Sequence, residues 1–310
     1  MEKVPLVIIN APTATGKTEL AIDLALEFGG EIISADSLQV YRYLDIGTAK
    51  PSQEQRNKVK HHLIDIINPD EEFNAAIFAE QARIIIADLA RRGKPVFIVG
   101  GTGLYIRALL RGIIETPTVD ENIRNQYRQL RDGHGKEYLY NLLKQRDADA
   151  AGKINPNDSV RVIRALEVLE QTGESISAIR KRHSFADCPY KTYKVGIQLA
   201  RAELKQRIIM RTEKMVAAGF LDEVKSILDR GYSYNLKPLQ SLGYKQIIGF
   251  LRKEYDWENA LDLINRDTWY YAKRQLTWFV ADKEINWFKH DLSGEIKKNV
   301  KKFWKDCTPA

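Results

Sequence analysis

A lysine and a threonine lie at the end of a short loop that joins an apolar run to a helix-like segment. The loop 10–18 reads NAPTATGKT, follows the apolar run 4–9 and leads into the amphipathic segment 19–28. In such a setting backbone N–H groups and a helix N-terminus converge on an anion. The lysine of a Gly-Lys-Thr end contacts phosphate oxygens, and the threonine hydroxyl coordinates Mg²⁺. The sequence therefore predicts that Lys17 and Thr18 bind a phosphate group together with Mg²⁺.

The first position of this loop departs from the common pattern, because Ala11 stands where glycine is usual. Alanine adopts a positive φ less readily than glycine. A chance match inside an ordinary turn is the alternative interpretation. The preceding strand, the spacing, Lys17-Thr18 and the following helix are all present, and together they favour the phosphate site.

Two further polar side chains follow predicted strands. Asp36 comes just after the strand-like run 31–34, and Thr102 lies in a glycine-rich turn after the run 95–99. Ligands of open parallel sheets bind where the strands end, so both side chains should share a crevice with the phosphate loop. Asp36 alone is compatible with a turn cap. Its place beside a phosphate site favours a general base or an organiser of Mg²⁺.

The third predicted strand lacks an acidic end. Residues 97–101 read FIVGG, whereas motor and switch NTPases place there an acidic residue that organises Mg²⁺ and water. Hydrolysis of ATP or GTP to drive motion is therefore not expected.

The elements that must position these residues alternate between strand and helix, which favours a parallel sheet flanked by helices. The predicted strands are 4–9, 31–34, 95–99, 193–199 and 285–288; the predicted helices are 17–28, 74–92, 104–110, 202–218, 221–229, 239–252, 258–279 and a basic C-terminal helix. Residues 115–189 are charge-rich and helical; within them Asn157-Asp158 is predicted to cap a helix at 159–171, which Gly173 ends. We predict an α/β, P-loop NTPase-like core at 1–114 and 190–310, with a helical insertion domain at 115–189.

Composition narrows the class of protein. The 310 residues are 44% hydrophobic, and no apolar run approaches the roughly 20 residues of a membrane span. The two cysteines, Cys188 and Cys307, are far apart and fit no metal-ligand spacing. We expect a cytoplasmic protein without a membrane segment or a zinc site.

The net charge of +7 results from 48 Lys and Arg against 41 Asp and Glu. Such an excess suits nucleic acid but also occurs in proteins that bind no polyanion. The basic residues cluster within 124–194 and in the tail 297–305. Their distribution indicates a second, larger anion besides the one in the phosphate loop.

Eight segments, in this order, resemble the tRNA dimethylallyltransferase (tRNA isopentenyltransferase) family in its bacterial form. They are APTATGKT at 11–18, ISADSLQVY at 33–41, DIGTAKP at 45–51, HHLID at 61–65, VGGTGLY at 99–105, Asn157-Asp158 running into Arg161 and RALEV at 164–168, GYKQ at 243–246 and RQLTWF at 274–279. The resemblance spans residues 4–279. Departures are Ala11, and Val280 where the family often has arginine.

The resemblance implies transfer of a dimethylallyl group from dimethylallyl diphosphate to N6 of adenosine 37 in the anticodon loop of tRNA, with release of diphosphate. It implies that Asp36 removes the N6 proton, that Thr102 holds the bridging or leaving oxygen and contacts the target nucleotide, and that Lys17 neutralises the diphosphate. The chemistry agrees, because a delocalised N6 amine needs a base and a leaving diphosphate needs cations.

The same resemblance implies the binding residues. For the diphosphate these are Ala11, Pro12, Thr13, Ala14, Thr15, Gly16, Lys17, Thr18, Arg207 and Arg211, with Thr18 as the Mg²⁺ ligand. For the tRNA anticodon stem-loop they are Asp36, Ser37, Leu38, Gln39, Thr102, Arg124, Val160, Arg161, Val162, Ile163 and Arg164. A solvated basic helix face is the alternative for Arg207 and Arg211, and a polar helix face for Arg161 and Arg164.

Two other groups attract attention without a catalytic assignment. His61-His62 has no third ligand spaced to bind a metal, and the resemblance implies a structural role. The aromatic residues Trp269, Tyr270, Tyr271, Trp278 and Phe279 recur at helical spacing and are predicted to lie in the core.

Two other functions use the same residues. A small-molecule kinase would bind ATP with this loop, although the helical insertion and the late basic segments have no role in it. The second is a non-catalytic RNA-binding module whose phosphate loop no longer functions. The presence of Lys17, Thr18 and Asp36 argues against it. We expect a monomer without a protein partner.

Overall fold

The computed structural model describes residues 3–114, 116–183 and 188–307. Glu115, the first residue of the predicted insertion, lies outside the described residues. The chain forms two compact units, Met1–Leu110 with Cys188–Ala310, and Arg111–Asp187. We call the first the core unit and the second the insertion.

The core unit is built on a sheet of parallel strands in the order β3-β2-β4-β1-β5-β6. The strands are β1 Val4–Asn10, β2 Glu31–Ser34, β3 His61–His62, β4 Val96–Gly100, β5 Tyr190–Gln198 and β6 Ile285–Lys289. β1 lies between β4 and β5, and its residues 6–9 are fully buried. A strand covered on both faces reads as a continuous apolar run. The parallel α/β fold is confirmed, with β3 as an additional strand.

Helices flank this sheet. They are α1 Lys17–Phe28, α2 Gln53–Lys58, α3 Ala75–Arg91, α4 Gly103–Arg111, α9 Arg201–Ala217, α10 Phe220–Asp229, α11 Tyr244–Leu251, α12 Trp257–Val280 and α13 Ser293–Lys305. The helix predicted at 239–252 begins only at Tyr244. Gly243, with φ 89°, precedes it, and its N–H donates to Oε1 of Gln246 within the first turn. None of the described helices is both long and apolar enough to cross a bilayer.

The helix after the phosphate loop shows how the core is packed. In α1 the residues 21, 22, 24 and 25 are buried, at the three-to-four-residue spacing of one helix face. They pack in one cluster with β1, β4, β5 and the apolar face of α13. Gly29, with φ 65°, ends α1 and receives the chain in the left-handed conformation that glycine adopts easily. This packing holds the N-terminus of α1 at the carboxyl edge of the sheet.

The insertion contains α5 Glu121–Arg146, α6 Ala148–Ala151, α7 Ser159–Thr172 and α8 Ile176–His183. Asp158 caps α7 by accepting a hydrogen bond from the Arg161 N–H at 3.2 Å, and Gly173 ends it with φ 69°. Both ends were predicted from sequence. α5 kinks at Gly135, whose φ of 86° and ψ of 168° are not helical. The buried side chains of all four helices form one apolar cluster of their own.

Candidate active site

The phosphate loop turns sharply between β1 and α1. Its left-handed residues are Ala14, with φ 64°, and Gly16, with φ 85°. The Thr15 hydroxyl donates to the Pro12 carbonyl at 2.9 Å and closes the turn. Ala11 is fully buried and is not among the positive-φ residues. The alanine that replaces the usual glycine therefore causes no backbone strain.

Lys17, the first residue of α1, is partly buried beside other charged groups. Its pKa is lowered to about 8, mainly by burial and further by the nearby Arg211, against the opposing effects of Asp36 and Glu19. Burial also lowers the pKa of Arg211, which Asp36 and Glu19 again oppose. Desolvated cations gain most from an anion between them. The electrostatics of this site favour a multiply charged anion such as diphosphate.

Asp36 and Thr102 are linked by backbone contacts at the carboxyl ends of β2 and β4. Oδ1 of Asp36 accepts hydrogen bonds from the N–H groups of Leu38 at 2.9 Å and Gln39 at 3.4 Å. The N–H of Thr102 donates to the Ala35 carbonyl at 3.3 Å. Asp36 thus does cap a turn, and it also lines the cavity next to the phosphate loop. Structural and chemical roles are compatible, because the turn bonds recorded for its side chain use only Oδ1.

A cavity of about 570 Å³ opens beside the phosphate loop within the core unit. Its lining includes the polar side chains of Lys17, Thr18, Asp36, Arg211 and Arg274, and the aromatic side chains of Tyr41, Phe73, Tyr105, Phe220, Tyr270 and Tyr271. Burial raises the pKa of Tyr105 and of Tyr271, so both phenols stay neutral. Such a combination accommodates a diphosphate together with an apolar or aromatic group.

Sequence spacing assigned some of these aromatic residues to the core, which is wrong for several of them. Tyr270 is 49% exposed and Trp278 is 37% exposed, while Tyr271 lines the cavity. Phe279, at 2% exposed, lies in the core as predicted. Helical spacing shows that residues share a face, but it does not show whether that face meets the core or a cavity.

Arg207 and Thr102 are among the predicted site residues that do not line this cavity. Arg207 forms an ion pair with Glu203 at 2.8 Å, one turn away on α9. Thr102 directs its hydroxyl to the Ser37 N–H at 3.2 Å. Arg211 does line the cavity, whereas the Arg207 guanidinium lies beside the phosphate loop, 4.0 Å from where a Cβ atom on Gly16 would be.

Gln275 belongs to the site but was not among the predicted site residues. Its side chain, on α12, accepts a hydrogen bond from the Thr13 N–H and donates one to the Gly101 carbonyl, both at 2.9 Å. It is 6% exposed and contributes to the cavity wall. Its only signal in the sequence is its presence in the segment 274–279, where it is one polar residue among others.

Gly47 lines the cavity, and the segment 45–47 to which it belongs is held by Glu223. The Glu223 carboxylate accepts hydrogen bonds from the backbone N–H groups of Asp45 at 2.9 Å, Ile46 at 2.6 Å and Gly47 at 3.1 Å. The Tyr244 hydroxyl also donates to it, at 2.7 Å. This wall of the cavity is therefore fixed by one carboxylate.

The oxygen donors present fit Mg²⁺ that is carried largely by phosphates. Thr18 and Asp36 both line the cavity. Mg²⁺ usually takes one or two protein oxygens and completes its shell with phosphate oxygens and water. Within residues 3–114, 116–183 and 188–307, no group of three or more His, Cys, Asp or Glu residues is placed to enclose a metal.

Known proteins identify the family. A family model described as IPP transferase matches residues 39–282, a range that begins after the phosphate loop. A tRNA dimethylallyltransferase 2 of Syntrophus aciditrophicus is 54% identical over 276 residues and aligns over 89% of each chain. That of Geotalea uraniireducens is 50% identical over 275 residues, again over 89% of each chain. The chain belongs to the tRNA dimethylallyltransferase family.

Solved structures of this family have the same fold. A full-length tRNA isopentenylpyrophosphate transferase of Bacillus halodurans superposes with a TM-score of 0.72 at 37% identity, over 98% of both chains. A eukaryotic dimethylallyltransferase acting on tRNA superposes with a TM-score of 0.77 at 28% identity, over 94% of this chain and 75% of that one.

Two of the arginines of the insertion that were predicted to bind tRNA form ion pairs with a buried glutamate. Glu167, which is fully buried, pairs with Arg124 at 3.0 Å and with Arg164 at 2.6 Å. Arg164 also donates to Thr116 and to the Pro117 carbonyl. These two guanidinium groups hold the insertion together.

The remaining predicted tRNA contacts on α7 divide by exposure. The side chains of Val162 and Ile163 are 1% and 5% exposed and belong to the apolar cluster. Their burial does not support the prediction that these side chains contact RNA. Val160 is 78% exposed, and the Arg161 side chain is 65% exposed. Of the predicted contacts on this helix, Val160 and Arg161 are therefore the exposed ones.

Proposed function

We propose that this chain transfers the dimethylallyl group of dimethylallyl diphosphate to N6 of adenosine 37 in tRNA and releases diphosphate. The observation that carries the proposal is that Asp36 lines the same cavity as Lys17, Thr18 and Arg211. A base thus lies next to a cradle for a leaving diphosphate. The names of the relatives support the same reaction.

The donor half of the site stabilises the leaving group. As the C–O bond of the allylic diphosphate breaks, its electron pair goes to the diphosphate. Lys17, Arg211 and the N–H groups of the phosphate loop lie where that charge develops, which is where preorganised donors accelerate a reaction. Bound Mg²⁺, held by Thr18, would supply further neutralisation of the diphosphate.

The acceptor half of the site supplies the base. The lone pair of N6 is delocalised into the adenine ring, so loss of its proton must accompany formation of the new C–N bond. The Asp36 carboxylate accepts that proton, an effect worth roughly 10²–10⁴-fold in rate. The adenosine must leave its stack to reach Asp36, and the aromatic cavity wall offers stacking surfaces for an extruded base.

The remaining assignments concern the tRNA contact, the cellular location, the oligomeric state and the alternative reaction. We propose that the insertion contacts the anticodon stem-loop, because Arg161 and Val160 on its surface are exposed. Cys188 and Cys307 are free and half-buried, which suits a reducing cytoplasm. We also propose that the protein is a monomer. A kinase reaction with ATP is disfavoured by family membership.

A single incubation tests the reaction. The protein, Mg²⁺ and dimethylallyl diphosphate are mixed with an anticodon stem-loop that carries adenosines at positions 36–38, and the RNA is analysed by mass spectrometry. We expect one added five-carbon unit, located at position 37 by fragmentation. A parallel sample with labelled ATP in place of the donor should leave the RNA unlabelled. Phosphorylated RNA without a five-carbon adduct would refute the proposal.

A further inference from the structure

Gln275 connects two loops that follow neighbouring strands. Thr13 lies in the phosphate loop after β1, and Gly101 lies in the turn after β4. The Gln275 side chain accepts from the Thr13 N–H and donates to the Gly101 carbonyl, each over 2.9 Å. Since a carboxamide carries a donor and an acceptor on one planar group, it satisfies both loops at once. An aliphatic side chain of this size would satisfy neither.

The fit between Gln275 and the turn is close. A Cβ atom at Gly101 would lie 2.1 Å from Nε2 of Gln275, far inside contact distance. Glycine at position 101 is thus required for the carboxamide to reach the carbonyl. The amide is also 6% exposed, so leaving either backbone group without a partner would be unfavourable.

The turn held by Gln275 leads directly to the base. Thr102, the next residue, accepts a hydrogen bond from the Ser37 N–H at 3.2 Å, and Ser37 follows Asp36. A continuous path of hydrogen bonds and single peptide units therefore runs from the phosphate loop through Gln275 to Asp36. A displacement at Gln275 shifts the cradle of the diphosphate relative to the base.

We propose that Gln275 is a positioning residue that sets the spacing between the diphosphate-binding loop and the turn that carries Asp36. This role rests on the proposed transfer reaction. Its bond to Thr13 also takes that N–H from the phosphate loop, so the diphosphate is left with the N–H groups of residues 14–18. Gln275 acts on the rate of the chemical step, because misplacement of reacting groups by about 1 Å lowers a rate by roughly 100-fold.

Gln275→Leu tests the proposal. We expect kcat for transfer to fall by roughly 10- to 100-fold, while KM for the stem-loop stays within about twofold. Val300→Ala is the matched control. Val300, on α13, is fully buried in the apolar cluster that includes the sheet, and it does not line the cavity. This control should lower the melting temperature and leave kcat near that of the wild type. Equal kcat in Gln275→Leu and the wild type would overturn the proposal.

Gln275→Glu provides a second test that does not depend on the stability of the first variant. Its ionised carboxylate can accept from the Thr13 N–H but cannot donate to the Gly101 carbonyl, whereas the protonated acid can do both. We expect kcat relative to the wild type to rise as the pH is lowered from 8 to 6. A ratio independent of pH would contradict the bridging role. If the wild type itself adds no five-carbon unit, the proposed function fails. If the wild type is active and the Gln275 variants have the same kcat, the proposed function stands and this inference fails.

Discussion

The hydroxyl oxygen of Thr102 accepts a hydrogen bond from the backbone N–H of Ser37 over 3.2 Å. The two residues follow β4 and β2, which are adjacent strands. The bond fixes the turn in which Asp36 lies, although Thr102 itself does not line the cavity. The contribution of Thr102 in the described structure is therefore to hold the turn that carries Asp36.

Thr102→Val should lower the transfer rate, because it removes the acceptor of the Ser37 N–H while keeping the shape of the side chain. We expect a loss of about fivefold, the equivalent of one net hydrogen bond of about 1 kcal/mol. Thr102→Ser keeps the hydroxyl and is the matched control. Single-turnover rates of the two variants decide the matter, and equal losses would exclude a role for the hydroxyl.

Asp36→Asn should lower the transfer rate by roughly 10²–10⁴-fold, because the amide keeps Oδ1 but cannot take the N6 proton. The bonds from the Leu38 and Gln39 N–H groups to Oδ1 preserve the turn. Stem-loop affinity, measured by fluorescence anisotropy, should stay within about twofold of the wild type. Transfer near the wild-type rate would show that Asp36 is not the base.

Affinity for inorganic diphosphate should fall as the pH rises above the lowered pKa of Lys17, about 8. Below that pH the lysine is charged and attracts the anion; above it, each further pH unit reduces the charged fraction about tenfold. Lys17→Arg stays charged throughout this range and is the control. Titration calorimetry between pH 7 and 9.5 should give a steeper decline for the wild type. Parallel pH profiles would exclude titration of Lys17 as the cause.

Arg161 and Arg164 should respond differently to replacement by alanine. Arg161→Ala removes an exposed cation and should weaken stem-loop binding, with the salt slope reduced by about 1 and an unchanged melting temperature. Arg164→Ala leaves the buried Glu167 with one arginine partner fewer and should lower the melting temperature. Binding at several salt concentrations and thermal unfolding measure the two effects. A lower melting temperature in Arg161→Ala alone would contradict this division.

Alanine to glycine should have opposite effects at two positions of the phosphate loop. Ala14 adopts φ 64°, so Ala14→Gly relieves strain of about 1 kcal/mol and should maintain or raise the free energy of unfolding. Ala11 is fully buried outside the left-handed region, so Ala11→Gly should lower it by about 1 kcal/mol. Urea unfolding of both variants tests this, and equal changes would contradict the assigned backbone conformations.

Much of the fold follows from local sequence signals. Apolar runs such as 4–9 predict buried parallel strands, and Asp158 and Gly173 predict the ends of α7. The candidate site could be predicted because the phosphate loop and Asp36 each follow a predicted strand. β3 was missed because His61 and His62 are too few to show periodicity.

Other parts of the site depend on tertiary contacts that no local pattern reports. Gln275 lies on an amphipathic helix, and only the folded structure shows that its partners are 174 and 262 residues away. Tyr270 shares helical spacing with core residues, but its face meets a cavity. Val162 and Arg161 are neighbours in sequence, and only packing separates the buried one from the exposed one.

The bonds of Glu223 to the N–H groups of 45–47 have a consequence for ligand selection. Three converging backbone N–H groups form an oxyanion-binding concavity of the kind that attracts phosphate. In this molecule the Glu223 carboxylate accepts hydrogen bonds from all three of these N–H groups. These N–H groups are therefore not available to a phosphate-bearing ligand, and the proposed diphosphate site remains the loop at 11–18.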